Sequence, residues 1–392
     1  MSSEIDFKPF PFKDGLNADT LREFFVWAAR NDVSDIHLQG DNHFVVGRYG
    51  RLLQASHFAV ADDTLAKLMD ELFSPELRPQ VRSGISFDRA MQLDGDSSGR
   101  WGLRRGERVR FRVNLLQGTA GRQKTIGWTL RVIPSEIPPL ENMGLEAALM
   151  ENILPAKGLA LWGGITGSGK STALASTYRY CLDKYPDRKV TTKEDPIEFI
   201  LGRPEDVLPP LQSQIGEDIP DFATGIRADL RRAPSVIGVG EMRDRETIDA
   251  GIRAGQLGHL CLSTTHIDSP GEAFPRLLNE FPHESRDAMA WALLGVLQYV
   301  VVQTLLRTTD GKRIAVREFI IIDDELRDGL SDLPWSQWGH HINGIIRLEK
   351  RRIVDQAWRL YCEQRIDAQE LNMVMSPRQR RELMSEGYSD ER

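Results

Sequence analysis

The chain has 392 residues, of which 41% are hydrophobic and 27% are charged, and its formal net charge at pH 7 is −7. This composition is that of a globular protein and excludes disorder throughout the chain, while the length predicts two or three domains. The negative charge argues against a dedicated duplex-DNA binder, and three widely separated cysteines argue against a disulfide framework and favour a reducing compartment.

The first elements along the chain predict an α+β domain over residues 1–133. A helical pattern is followed by strand-like segments that are rich in β-branched and aromatic residues, and the polar alternation in VRFRVN is typical of a half-buried strand. The predicted helix is at 18–30, and the predicted strands are at 36–38, 44–49, 109–116 and 125–133.

Residues 134–141 are predicted to be a linker, because prolines at 134, 138 and 139 resist helix formation and favour an extended path. Strands and helices then alternate over residues 142–330, which predicts a mostly parallel sheet covered by helices on both faces. Residues 331–392 are predicted to be a helical, charge-rich C-terminal segment. The predicted strands after the linker are at 159–162, 189–192, 236–239, 260–264 and 319–322.

No integral membrane segment is predicted. Residues 289–306 are the most apolar stretch, but they are few for a membrane span and include Gln298 and Gln303. We interpret this stretch as a buried helix that runs into a strand. Residues 1–30 also lack the basic start and apolar run of a secretory signal, so the chain is expected to be cytoplasmic.

A glycine-rich sequence at 164–171 predicts a nucleotide-binding site. GITGSGKS fits the pattern G-x-x-x-x-G-K-[ST] and lies between an apolar strand and a helix, the context that a phosphate-binding loop requires. The glycines let backbone N–H groups point at phosphate oxygens, Lys170 reaches the β- and γ-phosphates of ATP, and Ser171 coordinates Mg²⁺. The predicted binding residues are Gly164, Thr166, Gly167, Ser168, Gly169, Lys170, Ser171 and Thr172.

Carboxylates follow two of the later predicted strands. Glu194 opens the sequence EDPIE, and Glu241 ends the sequence SVIGVGE. The carboxyl ends of strands beside a phosphate loop form the ligand crevice of an α/β sheet. Glu241 is therefore a candidate to orient or deprotonate an attacking water, and Glu194 is a candidate to bind Mg²⁺ through water. Taken alone, the sequence at 194–198 fits an acidic turn better.

Histidines flank the next predicted strand. His259 precedes it, and His266 follows its end, where it is a candidate to sense the γ-phosphate. A histidine at a strand end is more often structural. Two histidines without acidic neighbours also make a poor metal site.

The order of these motifs resembles that of the secretion ATPase family of type II and type IV systems, which includes the type IV pilus retraction motors. The family has a Walker A loop, an acidic box E-D-P-I-E, a degenerate Walker B motif G-E-[IM]-R-D and a histidine box. In this chain SDIHL, RFRVN and RADLR also look like family signatures. The likeness is closest to the short retraction-like branch and, within it, to ATPases of type IVB secretion and related conjugation systems. The four motifs are residues 164–171, 194–198, 240–244 and 258–266.

The resemblance implies a PAS-like α+β N-terminal domain, a RecA-like P-loop domain with a mostly parallel sheet, and a helical C-terminal tail. It also implies a homohexameric ATPase that uses ATP and Mg²⁺ at the cytoplasmic face of the inner membrane. Its partners would be inner-membrane components of a secretion or conjugation machine and the coupling complex of that machine. By motif position, Arg112 and Arg131 would be arginine fingers. Read alone, both fit surface strand residues.

Three departures from the family pattern leave alternatives open. Gly240 stands at the Walker B aspartate position, residues 233–235 read APS where the family often has D-P-D, and residues 212–216 read QSQIG in place of Q-R-E-V-G. The missing Walker B aspartate leaves a nucleotide-gated scaffold that hydrolyses little ATP as a second hypothesis. A RecA-like nucleic-acid motor is a third, but the sequence lacks a basic groove pattern with stacking aromatics, so direct nucleic-acid binding is not expected.

Overall fold

The computed structural model describes residues 7–121, 123–133 and 136–385. The chain divides into two compact units, residues 1–136 and 137–392. Pro134 and Ser135, which begin the predicted linker, lie outside the described residues.

The N-terminal unit is built on a six-stranded antiparallel sheet and three helices that share one core. Its helices are α1 (Ala18–Arg30), α2 (Asp62–Leu72) and α3 (Leu77–Arg82), and its strands are β1 (Val33–Leu38), β2 (Asn42–Arg48), β3 (Arg51–Val60), β4 (Phe87–Asp94), β5 (Arg108–Ala120) and β6 (Gln123–Ile133). The strands lie in the order β3-β2-β1-β6-β5-β4.

Helix α1 begins at a side-chain cap and packs its aromatic face on the sheet. The Asn17 side chain accepts hydrogen bonds from the backbone N–H groups of Asp19 and Thr20 in the first turn of α1, as capping residues do. Phe24 and Phe25 are fully buried and contact the rings of Phe44 and Phe111 on the strands. This packing covers one face of the sheet with apolar side chains.

The other face of the same sheet is polar. Along β5, Phe111 and Val113 are buried in the core, while Arg110, Arg112 and Asn114 are only half-buried. Successive side chains of a strand point to opposite faces, so the arginines project away from the core. The alternation predicted from VRFRVN is thus present.

The C-terminal unit is a seven-stranded sheet with helices and short 3₁₀ turns. The strands are β7 (Gly158–Gly163), β8 (Val190–Glu194), β9 (Leu211–Gln214), β10 (Val236–Val239), β11 (Leu260–Thr265), β12 (Leu297–Arg307) and β13 (Arg313–Ile321). The helices are α4 (Ala147–Glu151), α5 (Lys170–Lys184), α6 (Phe222–Asp229), α7 (Arg245–Gln256), α8 (Ala273–Leu278), α9 (His283–Val296), α10 (Asp324–Ser331), α11 (Trp335–Leu348), α12 (Ile353–Cys362), α13 (Ala368–Val374) and α14 (Pro377–Ser385).

The strand order is β13-β12-β7-β11-β10-β8-β9, and every neighbouring pair is parallel except β13 with β12. Two apolar cores cover the faces of this sheet. Leu159 and Leu161 of β7 belong to one core, and Ala160 and Trp162 belong to the other. The central strands are buried on both faces, as parallel sheets require.

The apolar stretch at 289–306 is helix α9 followed by strand β12, as predicted. In the described part of the chain, no helix is both long and apolar enough to cross a membrane. The sequence patterns did not predict strands β3, β4 and β9. Strand β9 reads LQSQ, which carries little strand signal.

The C-terminal helices pack on the sheet and on one another. Trp338 of α11 is fully buried, and its Nε1 donates to the carbonyl oxygen of Leu330 at 2.6 Å. Helices α12, α13 and α14 share a further apolar core with Leu306 and Val316 of the antiparallel strand pair. The tail predicted from residue 331 onwards is therefore joined to the edge of the sheet.

Glu318 of β13 joins this edge to α12. Its side chain is largely buried, and Oε2 accepts a hydrogen bond from the backbone N–H of Ile353 at 3.1 Å, at the start of α12. Burial raises the pKa of Glu318 to about 7, although the Ile353 hydrogen bond and nearby Arg352 lower it. The folded chain therefore holds a proton on Glu318 at pH values where an exposed glutamate is ionised.

This raised pKa predicts a pH-dependent stability. Between the ordinary glutamate value of 4.5 and about 7, the folded state binds more protons than the unfolded state, so stability increases as the pH falls. We expect the free energy of unfolding to gain up to about 3 kcal/mol over this range from Glu318, at about 1.4 kcal/mol per pKa unit. Glu318→Gln should remove the contribution of Glu318 to this slope in urea denaturation at several pH values.

The control is the same change at Glu325, an exposed glutamate of α10, which should keep the wild-type slope. An unchanged slope in Glu318→Gln would contradict the assignment.

Candidate active site

The phosphate loop joins β7 to α5. Gly164, Gly167 and Gly169 have φ angles of +131°, +81° and +87°, a region that glycine adopts readily and other residues rarely do. A Cβ atom at Gly164 would lie 2.3 Å from the carbonyl oxygen of Gln303, and one at Gly169 would lie 2.8 Å from the Gln303 side-chain nitrogen. The loop therefore needs glycine for its turns and for its close approach to β12.

Lys170 is the first residue of α5 and is buried. Its Nζ donates hydrogen bonds to the carbonyl oxygens of Gly164 at 2.6 Å and Ile165 at 3.0 Å. Burial lowers the pKa of Lys170, and the negative charges of Glu241 and Glu198 oppose that shift. The ammonium group thus lies within its own loop, in the electrostatic range of two carboxylates.

The hydroxyl residues of the motif differ in their exposure. Thr166 and Ser171 are exposed and Thr172 is half-buried. Ser168 is buried, and its hydroxyl makes no hydrogen bond within the described part of the chain. Ser171 lies in the first turn of α5, where free backbone N–H groups and the helix dipole favour an anion. The loop therefore offers both N–H donors and an accessible hydroxyl oxygen.

Parallel pairing brings the remaining candidates of this unit to one edge of the sheet. Strands β8, β10, β11 and β7 are neighbours and pair in parallel without a register shift. Glu194, Glu241 and His266 therefore emerge at the carboxyl ends of adjacent strands, at the edge where the phosphate loop follows β7. His266 Nε2 lies 3.8 Å from Glu241 Oε1, and both side chains are partly exposed.

Glu194 is the most enclosed of these carboxylates. Its Oε1 accepts hydrogen bonds from the Thr192 hydroxyl at 2.6 Å and from Gln212 Nε2 at 3.0 Å. Burial raises the pKa of Glu194, while these two hydrogen bonds lower it. Sequence reasoning noticed Gln212 only as part of a departure from the family pattern. The hydrogen bond to Glu194 connects it to the site.

Gly240, at the Walker B aspartate position, is closely packed against neighbouring residues. Its N–H donates to the carbonyl oxygen of Lys193 at 2.7 Å, and its own carbonyl oxygen accepts from the Thr264 hydroxyl at 2.6 Å. An added Cβ atom would lie 3.3 Å from both the Lys193 oxygen and the Phe222 ring. A side chain here requires neighbours to shift, and Glu194 and Glu241 supply the carboxylates at this edge.

The two histidines of the histidine box lie at opposite ends of β11. His259 precedes the strand, and its Nδ1 is 2.7 Å from the carbonyl oxygen of Pro234. This contact ties the amino end of the strand to the turn before β10, so the structural interpretation fits His259. His266 alone lies at the candidate site.

Arg112 and Arg131 belong to the N-terminal unit and lie directly opposite each other on β5 and β6. Arg112 forms two hydrogen bonds with the carboxylate of Asp88, at 3.1 and 2.9 Å. Arg131 Nε donates to Asp35 at 3.0 Å. The structure therefore brings the two predicted arginines together on the polar face, each with a carboxylate partner.

A buried ion pair supports the strand that carries Glu194. Lys193 Nζ lies 2.7 Å from Asp229 Oδ2 of α6, and both side chains are almost fully buried. The Thr191 hydroxyl donates to the same carboxylate at 2.8 Å. A Cβ atom at Gly225 of α6 would lie 2.7 Å from the Lys193 side chain, so this glycine makes room for the lysine. Asp229 belongs to the RADLR signature, but the sequence did not indicate that it pairs with Lys193.

The sheet, the loop and the carboxylates together define a P-loop nucleotide-binding protein with a RecA-like sheet. Residues 28–332 match the family described as type II/IV secretion system protein. The chain belongs to this family.

Individual relatives agree with this assignment. The chain is 38% identical over 302 residues to the uncharacterized protein YggR of Escherichia coli K12. This match covers 77% of this chain and 86% of YggR. The Legionella pneumophila ATPase DotB has a TM-score of 0.84 at 30% identity, covering 94% of this chain and 99% of DotB. The pilus retraction motor PilT, solved with bound ADP, has a TM-score of 0.70 at 28% identity, covering 91% and 98%.

The chain is therefore an ATPase of the type II/IV secretion system family. The family identified from the motifs is confirmed. The predicted fold class, a PAS-like α+β domain with a RecA-like P-loop domain and a helical C-terminal tail, is also confirmed.

The Lys193–Asp229 ion pair yields a stability prediction. Asp229→Asn leaves the lysine charge buried without its partner, which should lower the free energy of unfolding by about 3–5 kcal/mol. The double variant Lys193→Met/Asp229→Leu removes both charges and should return the stability close to wild type, because apolar replacements of a buried ion pair are often neutral. Urea denaturation followed by circular dichroism measures both.

Arg253→Met/Asp249→Leu, which removes an exposed ion pair of α7, is the matched control and should change stability by no more than about 1 kcal/mol. Equal stabilities of Asp229→Asn and wild type would show that the buried pair does not stabilise the sheet.

Proposed function

We propose that this chain is the ATPase motor of a type IVB secretion or conjugation machine. It would act as a homohexamer that couples ATP hydrolysis to the export of protein or nucleoprotein. The likeness to DotB along nearly the whole of both chains supports this choice over pilus retraction, since the TM-score to PilT is lower. Inner-membrane components of the machine and its coupling complex would recruit the motor to the cytoplasmic face of the inner membrane.

The proposal rests on one observation about the site. Glu241, Glu194 and His266 emerge at the same edge of the sheet as the phosphate loop. This is the position for a water-activating carboxylate beside a γ-phosphate. In this assignment Glu241 orients or deprotonates the attacking water, and His266, next to Glu241, senses the γ-phosphate. Lys170 turns from its loop carbonyls towards the β- and γ-phosphates.

The oxygen donors at this edge fit Mg²⁺. The accessible Ser171 hydroxyl is a direct ligand in this assignment, and the Glu194 carboxylate acts through water. Mg²⁺ keeps several waters and takes few protein ligands where phosphates are present. Among the described residues, no group of three or more histidine, cysteine, aspartate or glutamate side chains could hold a metal. When bound, the ion would neutralise charge on the phosphates.

Replacing Glu241 tests the motor. Glu241→Gln removes the base while keeping the shape of the side chain, so kcat for ATP hydrolysis should fall at least about 100-fold while ATP binding persists. Phosphate release gives kcat, and light scattering with and without ATP and Mg²⁺ gives the oligomeric state. Lys170→Ala should instead lose affinity for the nucleotide.

Glu246→Gln is the matched control, because it makes the same change at an exposed glutamate five residues further on. It should hydrolyse ATP like wild type. A stable hexamer that binds ATP but releases negligible phosphate would instead favour the nucleotide-gated scaffold, which the glycine at position 240 keeps as the second hypothesis. Strong stimulation by single-stranded DNA would favour the nucleic-acid motor.

Replacing Arg112 and Arg131 tests separately whether they act as arginine fingers in the proposed hexameric ring. If Arg112 and Arg131 act as arginine fingers, Arg112→Ala should lower kcat by about 1,000-fold or more. Its loss should hardly change stability, because exposed ion pairs such as that with Asp88 contribute about 0–1 kcal/mol. Arg89→Ala, on the adjacent strand, is the control. Full turnover in both Arg112→Ala and Arg131→Ala would contradict the finger role.

A further inference from the structure

A buried polar network lies directly behind the phosphate loop. Gln303 of β12 and Arg317 of β13 are cross-strand partners, and each is only 1% exposed. Arg317 Nε donates to Gln303 Oε1 at 2.7 Å. Gln303 Nε2 in turn donates to the carbonyl oxygen of Ser168 in the phosphate loop at 2.6 Å. The strand pair thus reaches the loop through two consecutive hydrogen bonds.

Gln303 packs against the phosphate loop at both ends, near Gly164 and near Gly169. The carbonyl oxygen of Gln303 lies where a side chain at Gly164 would be, and its amide nitrogen lies where a side chain at Gly169 would be. A change in the position of this amide would therefore change the space available to the loop backbone at Gly169, the residue before Lys170.

Arg317 determines which way the Gln303 amide points. A glutamine amide has an accepting oxygen and a donating nitrogen, whereas a guanidinium can only donate. The oxygen must therefore face Arg317, and the nitrogen then faces Ser168. A flipped amide would place its oxygen against the Ser168 carbonyl oxygen, and two acceptors would oppose each other.

Arg317 itself is held from three further sides. Its Nη1 and Nη2 donate to the carbonyl oxygens of Gly144 and Met143, at 3.1 and 3.0 Å. Gln356 of α12 accepts from the backbone N–H of Arg317 and donates to its carbonyl oxygen. The first two contacts hold the guanidinium and the Gln356 contacts hold the backbone of Arg317, and together they orient the side chain towards Gln303, as a positioning residue requires.

The charge of Arg317 has no carboxylate partner within 4 Å among the described residues. Its side-chain hydrogen bonds all go to neutral acceptors. Burial lowers the pKa of Arg317, and the negative charge of Glu146, which forms no ion pair with it, opposes that shift. Burying a cation whose hydrogen bonds all go to neutral acceptors is costly, and an apolar side chain would fill the same space at a lower cost. Packing alone therefore does not account for the presence of Arg317 in this network.

We propose that Arg317 is a positioning residue for nucleotide binding: by orienting the Gln303 amide, it holds the phosphate loop between Gly164 and Lys170 in its binding geometry. Arg317 acts through Gln303 and does not itself contact the nucleotide. The inference rests on the proposed ATP site and deepens it.

Arg317→Met in the full chain tests this role. We expect the Kd for ATP, measured with a fluorescent ATP analogue, and the KM for ATP to rise at least about tenfold, since small displacements of a positioned group have large effects. The kcat at saturating ATP should stay within about threefold, because Glu241 and Glu194 lie on other strands. Arg317→Lys, which keeps a donor towards Gln303, should recover part of the affinity.

A double variant separates positioning from packing. In a Gln303→Met background, Arg317→Met should change the Kd less than about twofold, because the route to the loop is already removed. Glu318→Gln alters the next residue of β13, which contacts α12 and not the loop, and should leave the Kd unchanged.

Two outcomes would overturn the inference. One is a normal Kd and KM in Arg317→Met, with only the melting temperature lowered. The other is an undiminished tenfold effect in the Gln303→Met background. If Arg317→Met does not fold, Arg317→Lys and Gln303→Met still decide: wild-type affinity in both would reject the role. A wild-type chain that binds no ATP would contradict the proposed function itself.

Discussion

The register of four parallel strands is the constraint on which the site depends. Strands β7, β11, β10 and β8 pair in parallel without a shift, so their carboxyl ends lie at one edge. The phosphate loop, Glu241 and His266 follow three of these strands, and Glu194 is the last residue of the fourth. Because side chains alternate along a strand, a shift of one residue would turn each of these strands' side chains to the opposite face. The two cores that cover the sheet hold the register in place.

Buried polar groups lie on both sides of this edge. On one side, the Lys193–Asp229 pair fastens the end of β8 to α6. On the other, Arg317 and Gln303 connect β13 and β12 to the phosphate loop. Each arrangement carries a desolvation cost that an apolar core would avoid. Both are satisfied by hydrogen bonds of defined direction, which constrain the backbone beside the site more closely than apolar contacts do.

In the N-terminal unit the sheet is buried on one face only. Its antiparallel sheet has one apolar face and one polar face, and Arg112 and Arg131 lie on the polar face opposite each other. Each holds a carboxylate of a neighbouring strand. Exposed ion pairs contribute about 0–1 kcal/mol, so an arginine that exchanged its carboxylate for a phosphate oxygen would lose little. The pairs therefore keep the arginines ordered without preventing a catalytic role.

The sequence by itself determined the features that depend on neighbouring residues. The glycine spacing of 164–171, the alternation in β5 and the apolar strands after the linker are local patterns, and they predicted the phosphate loop, a half-buried strand and a mostly parallel sheet. The ATPase family and the RecA-like fold were implied by the resemblance of the ordered motifs to that family. The short strand β9 was missed because LQSQ carries little strand signal. The antiparallel direction of β13 was missed because direction depends on the connection between strands and not on their composition.

Only the tertiary structure decided which distant residues meet. Asp229 and Lys193 are far apart in sequence and pair because α6 packs on β8. Gln303 and Arg317 face each other because β12 and β13 pair in one register, and the loop at 164–171 reaches them because β7 is the next strand. A motif records spacing along the chain, whereas these contacts arise from the pairing of segments, and a buried charge shows its role only when its partners are known.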